Sequence, residues 1–168
     1  MKVDLGCGSK KKDGFIGVDI DVLSDADIIA DLNEPLSFKD GEVSHINSSH
    51  VFEHLTNPLL ALSEINRILE PGGTAYIRVP HPSDHNCMWG HPDHKRCLPV
   101  DWWSGECNRL GLREHKRISF SLEGEQPLWR TIITKIVDTI ANDICGIRLW
   151  ERLNPVTMKE IRVWIKKK

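Results

Sequence analysis

Short apolar runs alternate with polar breaks through the first half of the chain. Residues 2–5 (Lys-Val-Asp-Leu) predict a short buried strand running into Gly6-Cys7-Gly8. Residues 15–19, 27–31 and 42–48 predict a second, third and fourth strand. Runs of this length, bounded by Gly, Asp and Asn, suit a parallel sheet covered on both faces. A helix follows, because Leu59, Leu62, Ile65, Ile68 and Leu69 recur at helical spacing. Asn57 stands where an N-cap belongs and Pro58 at the first helical position. Pro71-Gly72-Gly73 stops the helix, and residues 74–79 predict a fifth strand ended by Pro80. Residues 42–79 thus form a strand–helix–strand unit with a right-handed crossover expected.

After Pro80 the pattern changes. Residues 81–97, "HPSDHNCMWGHPDHKRC", are polar, rich in histidine and broken by Pro and Gly, which predicts a loop. Residues 99–111 predict a short helix ending near Gly111, and residues 112–122 a strand. Residues 127–153 carry an amphipathic helical pattern, and residues 158–165 alternate as a last strand. The order is that of an α/β fold with a mostly parallel sheet and room for one antiparallel member. One domain, 1–168, is expected, with a first half (1–80) and a lid or substrate half (81–168). The 127–153 helix suits either a cover for the sheet or substrate site, or a dimer face, so a homodimer stays open.

Composition narrows the class. The chain has 168 residues, 40% hydrophobic and 27% charged, ordinary for a globular domain. A net charge of -2 gives no support for bulk nucleic-acid binding. Lys166-Lys167-Lys168 reads as a solvated tail. No apolar stretch approaches the roughly 18 residues of a membrane helix, so no membrane partner is expected. There are five cysteines, and no leader-like segment precedes the first strand. A reducing, cytoplasmic setting with free thiols is the expectation.

The Gly6-Cys7-Gly8 turn is the first candidate for chemistry. A dinucleotide site wants a third glycine, where this chain has Lys11. It wants an acidic residue about 20 residues on, and Asp19 comes sooner. It also wants a helix N-terminus facing the pyrophosphate, and Lys10–Gly14 has no apolar periodicity. A ligand with a ribose and an amino acid but no phosphates fits better. Glycines let the backbone pass close to such a ligand. Asp19, at the tip of the second strand, can accept both ribose hydroxyls. Asp31, at the tip of the third, can serve an adenine edge. In an open sheet the ligand lies beyond the carboxyl ends of the strands, where these residues gather.

These residues carry a family resemblance. Asp4-Leu5-Gly6-Cys7-Gly8-Ser9 resembles the glycine motif of class I S-adenosylmethionine-dependent methyltransferases. Gly17-Val18-Asp19 resembles their acidic ribose position, and Ala30-Asp31-Leu32 their adenine-side motif. "SSHVFEHL" (48–55), "EINRILEPGG" (64–73) and "YIRVP" (76–80) are similar to segments of the small type 11 members. The resemblance covers roughly residues 3–80. It implies S-adenosyl-L-methionine as cofactor, a Rossmann-like seven-stranded sheet, and methyl transfer to an acceptor it does not identify. It assigns Asp4, Gly6, Cys7, Gly8, Asp19, Ile20, Asp31, Leu32, Ser49 and His50 to the cofactor, with residues 48–54 beside the sulfonium. Most such enzymes have helices before the first strand and between the first two, and this chain departs from both. A compact site closed by some other part of the chain is expected. A non-catalytic cofactor-binding module, or a subunit completed by a partner, is the rival.

Three readings compete for residues 81–97. His-x3-His and His-x2-His with nearby cysteines are plausible zinc ligands. Their spacing fits no standard finger, so no metal ligand set is assigned. A polar surface loop without chemistry is the plainest reading. The reading adopted is an active-site lid, since this loop leaves the fifth strand at the cofactor end and "HPDHKR" (91–96) resembles a pattern in some small relatives. Methyl transfer to oxygen or nitrogen needs a base near neutral pH, which suits histidine. His81 and His94 are favoured, with His85 and His91 behind them. Cys7 reads as a small filler in a tight turn. Trp102 and Trp103 read as core or as a stacking surface for a flat substrate.

Overall fold

The computed structural model describes residues 1–84, 87, 91–120, 139 and 158–168. The strands are β1 (Lys2–Leu5), β2 (Ile16–Asp19), β3 (Ile28–Ile29), β4 (Val43–Ser49), β5 (Leu69–Pro80), β6 (Arg113–Phe120) and β7 (Met158–Lys166). Helix α1 spans Pro58–Ile68 and helix α2 Val100–Arg109, with a short 3-10 turn at Phe52–His54. The strands form one seven-stranded sheet in the order β3-β2-β1-β4-β5-β7-β6. Strands β1 to β5 pair in parallel, and β7 runs antiparallel to both β5 and β6. This is the α/β architecture that the apolar pattern predicts.

Each element follows from its residues. Asn57 caps α1, its side chain accepting the Leu60 N–H at 3.1 Å, and Pro58 opens the helix. Ala61, Leu62, Ile65 and Ile68 of α1 are buried. Strand β7 buries Ile161, Val163 and Ile165 on one face, the period of two expected of a strand. Trp103 of α2 is fully buried with its ring 5.2 Å from that of Phe52, so the core reading holds for it. Trp102 packs beside it, partly buried.

No helix joins β1 to β2, β2 to β3 or β3 to β4 among the described residues. Carboxylates hold the turns instead. Asp4 accepts the Lys12 N–H at 2.9 Å, Asp19 accepts that of Gly8 at 2.8 Å, and Asp27 accepts that of Gly17 at 2.7 Å. Backbone donors that a helix would satisfy internally are thereby satisfied by side chains. The two glycines of the first turn have φ of 68° (Gly6) and 56° (Gly8), the left-handed region.

Three expectations are revised. The third strand is shorter than 27–31, because the side chains of Asp27 and Asp31 at its ends bond backbone N–H groups, that of Gly17 in β2 and that of Asn33 in the following loop. Strand β5 begins at Leu69 and runs through Pro71-Gly72-Gly73. Its pairing with β4 shifts register there, Val43 facing Leu69 and His45 facing Thr74, with Gly72 at φ 82°. The thiols are not all free. Cys87 and Cys97 are joined in a disulfide, their Cα atoms 5.9 Å apart, because the loop after β5 doubles back on itself. Cys7 and Cys107 are free and buried. The helix expected at 127–153 lies, apart from the helical and exposed Thr139, outside the described residues. No helix among those residues is long and apolar enough to cross a membrane.

Candidate functional site

A cavity of about 460 Å³ opens beyond the carboxyl ends of β1 to β4. That is the size of a small-ligand site. Gly6, Asp19, Ile20, Asp31, Leu32 and His50, all expected to meet a cofactor, line it. Ala30, Asn33, Val51, His54, Leu55, Asp93 and Lys95 complete the wall.

The acidic residues keep acceptor capacity. The Asp19 carboxylate accepts Gly8 N–H through one oxygen and Asp21 N–H through the other, at 2.8 and 3.0 Å. A carboxylate has about four acceptor positions, so two remain for a ligand's hydroxyls. Asp31 accepts the Asn33 backbone and side-chain N–H groups through the same oxygen, each at 2.8 Å. Asn33 in turn accepts from Thr56 and Asn57 through its side-chain oxygen, tying the loop after β3 to the start of α1.

The other expected contacts lie behind the wall. Asp4 is buried and binds Lys12 N–H and the Asn47 amide, which locks β1 to its turn and to β4. Cys7 packs where a Cβ on Gly17 would stand, 2.9 Å from its sulfur, as a filler would. Burial, followed by the nearby Asp19, pushes its thiol pKa up. Gly8 serves through its N–H to Asp19. Ser49 ends β4 opposite Arg78 and is not in the cavity wall.

His50 is the strained member, the only described non-glycine residue with positive φ, at 56°. Its ring lies 3.6 Å from Glu160 and 3.2 Å from Glu53. These carboxylates, Glu160 first, raise its pKa to about 9, so the ring is a cation at neutral pH. Glu160 is also gripped by Arg78 and Arg162, each through two N–H groups. Burial would raise its pKa, but the bonds from His50, Arg162 and Arg78 together hold it well below the usual carboxylate range.

The histidine-rich loop splits into two places. His81 is 6% exposed and its Nδ1 accepts the Ser83 N–H at 3.1 Å. It lies outside the cavity wall. His94 joins a cluster at the cavity mouth. Its ring is 4.8 Å from that of His91, stacked, and 4.7 Å from that of His54, edge-on. His94 Nδ1 donates to the Cys87 carbonyl at 2.8 Å. His54 Nδ1 pairs with Asp93 at 2.9 Å, and both residues line the cavity. His85 is outside the described residues.

A methyltransferase-domain family model matches residues 3–77. Solved structures resemble the chain over nearly its whole length. A SAM-dependent methyltransferase from Archaeoglobus fulgidus aligns with TM-score 0.69 at 18% identity, covering 99% of this chain and 85% of that one. One from Mesorhizobium loti aligns with TM-score 0.61 at 17% identity, covering 99% and 90%. The first half of the chain thus matches a methyltransferase-domain model, and the fold is the one these S-adenosylmethionine-dependent methyltransferase structures share. A structure of the complex between the Haloferax volcanii Trm112 methyltransferase activator and a methyltransferase aligns with TM-score 0.66 at 22% identity, covering 99% and 82%. No curated protein matches the chain in sequence.

The cavity suits a ligand with a ribose and a flat base. It has a glycine floor, two carboxylates at adjacent strand tips and apolar walls from Ile20, Ala30 and Leu32. Sequence reasoning missed Asn33, Leu55 and Glu160. Asn33 carried a signal, since Asp-x-Asn marks a side-chain-bonded turn. Glu160 carried none, since it reaches the site through pairing of β7 with β5.

Proposed function

We propose that the chain transfers a methyl group from S-adenosylmethionine to an acceptor held at the His54–His94 side of the cavity. The observation that carries this reading is the placement of Asp19, Asp31, Gly6 and His50 around one cavity. Asp19 would take the ribose hydroxyls with its spare acceptor positions, and Asp31 the adenine edge. Ile20, Ala30 and Leu32 would flank the base. His50, charged, suits the methionine carboxylate. The bound cofactor supplies an electrophilic methyl on a sulfonium. The chain must align an acceptor with it and exclude water. His94 is better placed than His81 to act on the acceptor, because it touches His54 in the cavity wall.

Incubation with the cofactor and panels of hydroxyl, amine and sugar acceptors tests the reading. Acceptor-dependent release of S-adenosylhomocysteine is expected. Cofactor binding with no release from any panel would contradict catalysis by the chain alone and favour a second reading, a subunit completed by a partner. Ile20, which lines the cavity, and Val22, Leu23 and Ile29, which follow it in the loop after β2 and in β3, are exposed at 50 to 87%. The Haloferax volcanii structure pairs a methyltransferase with an activator, and a partner seated on these residues would cover the same rim.

A further inference from the structure

Two loops far apart in sequence meet at the cavity mouth. The turn after β4 brings Glu53 and His54, and the loop before α2 brings His91, Asp93 and His94. The backbone holds them together, for the Lys95 and Arg96 N–H groups both donate to the Glu53 carbonyl, at 2.8 and 3.3 Å. Glu53, His54 and His94 each offer a donor atom within 4.8 Å of the other two, and so do His91, Asp93 and His94. Donor atoms around a tetrahedral ion stand about 3.4 Å apart, from metal–nitrogen distances of about 2.0–2.1 Å. Small side-chain rotations close the difference.

The hydrogen bonds fix the rings in the right state. A carbonyl only accepts, so His94 Nδ1 carries the proton toward Cys87 and Nε2 keeps its lone pair. His54 is oriented in the same way by Asp93. Ligand histidines are held by a carbonyl or carboxylate on the far nitrogen in just this manner. The disulfide ties down Cys87, whose carbonyl does the holding.

A second observation points to a cation. Glu53 is 1% exposed, and its Oε2 has no hydrogen-bond partner. Its Oε1 lies 3.2 Å from His50. A bare oxygen on a buried carboxylate is costly, and an adjacent cation removes the cost.

We propose that Glu53, His54 and His94, with His91 and Asp93 beside them, bind a divalent transition-metal ion at the mouth of the cavity. Imidazole and carboxylate donors without thiolate suit zinc, cobalt or iron rather than magnesium or calcium. An ion there faces the cavity through His54 and Asp93. It would hold an acceptor oxygen or nitrogen and ease loss of its proton, a role that rests on the methyltransferase reading. Ion binding itself does not rest on it.

The test uses the full chain without a histidine tag, stripped with chelator and kept oxidised. It is titrated with Co(II), followed by its visible absorption, and the cobalt is displaced with Zn(II). One saturable equivalent is expected, weakened at least about tenfold in His94→Gln and in Glu53→Gln. His91→Ala, an exposed position, guards against loss of fold and should weaken binding to a lesser degree. No saturable site in the wild type, equal affinity in all variants, or a thiolate-to-cobalt band would overturn the proposal. Calorimetry of the cofactor on the same sample reports separately on the methyltransferase reading.

Discussion

Gly6 and Val51 leave no room for a side chain between them: a Cβ on Gly6 would lie 2.2 Å from Val51 Cγ2. Gly6 also sits at φ 68°. Gly6→Ala therefore meets backbone strain of about 1–2 kcal/mol and overpacking of roughly 1–3 kcal/mol. Thermal melting should fall by several degrees, at about 2–4 °C per kcal/mol for a chain of this size. Cofactor affinity measured by calorimetry should drop at least about tenfold. Gly8 makes a control, since its φ is 56° but nothing lies within 4 Å of its Cβ position. Gly8→Ala should incur the strain alone. Equal melting of Gly6→Ala and wild type would show that Val51 yields freely.

His50 gives a dependence on pH. Its pKa is raised to about 9 by Glu160 and then Glu53. The stability this contributes is full below the unfolded value near 6.5 and is lost as pH rises through about 9. Glu160 is shifted the other way, so its contribution is full above the unfolded value near 4.5 and fades as pH falls below it. The His50 side chain is 45% exposed, so solvent screens the pairing and the effect on stability is modest. NMR titration of the ring should give a midpoint near 9, moving toward 6.5 in Glu160→Gln. A midpoint near 6.5 in the wild type would contradict the pairing.

His81 and His94 should separate on substitution. His81 is buried in the 81–84 turn, so His81→Ala should destabilise by about 1–2 kcal/mol and leave turnover per folded molecule largely intact. His94→Ala should keep cofactor affinity and lower kcat at least about tenfold. Melting curves, calorimetry and initial rates on one preparation of each decide it. The reverse pattern would return the chemistry to His81.

The Cys87–Cys97 link predicts a covalent observation. Peptide mapping without reductant should recover fragments carrying Cys87 and Cys97 joined. Reduction should loosen the loop that positions His94, with a fall in activity that reoxidation restores. Fragments recovered separately as free thiols would contradict the link.

Much of this was legible in the chain because it is local. Asn57-Pro58 announces α1, and the alternation at 158–165 announces β7. Gly6, Asp19 and Asp31 reach one cavity because parallel strands end side by side. What stayed hidden depends on the return of the chain. Glu160 meets His50 only through the antiparallel placement of β7 beside β5. Cys87 finds Cys97, and His94 finds His54, only once the loop has folded back over the turn after β4. Spacing along 81–97 does not carry the His54–His94 contact, because His54 lies in another loop, and it leaves open which of the cysteines pair.

The proposed function rests on S-adenosylmethionine being held in this cavity through Asp19. Calorimetric titration of the wild type with S-adenosylmethionine and with NAD, repeated on Asp19→Ala and Asp19→Asn, tests it most directly. Saturable binding of S-adenosylmethionine, no binding of NAD, and at least about tenfold loss in both variants are expected, since hydrogen bonds to a charged group contribute about 1.5–3 kcal/mol. Binding of NAD without S-adenosylmethionine, or unchanged affinity in the Asp19 variants, would contradict it.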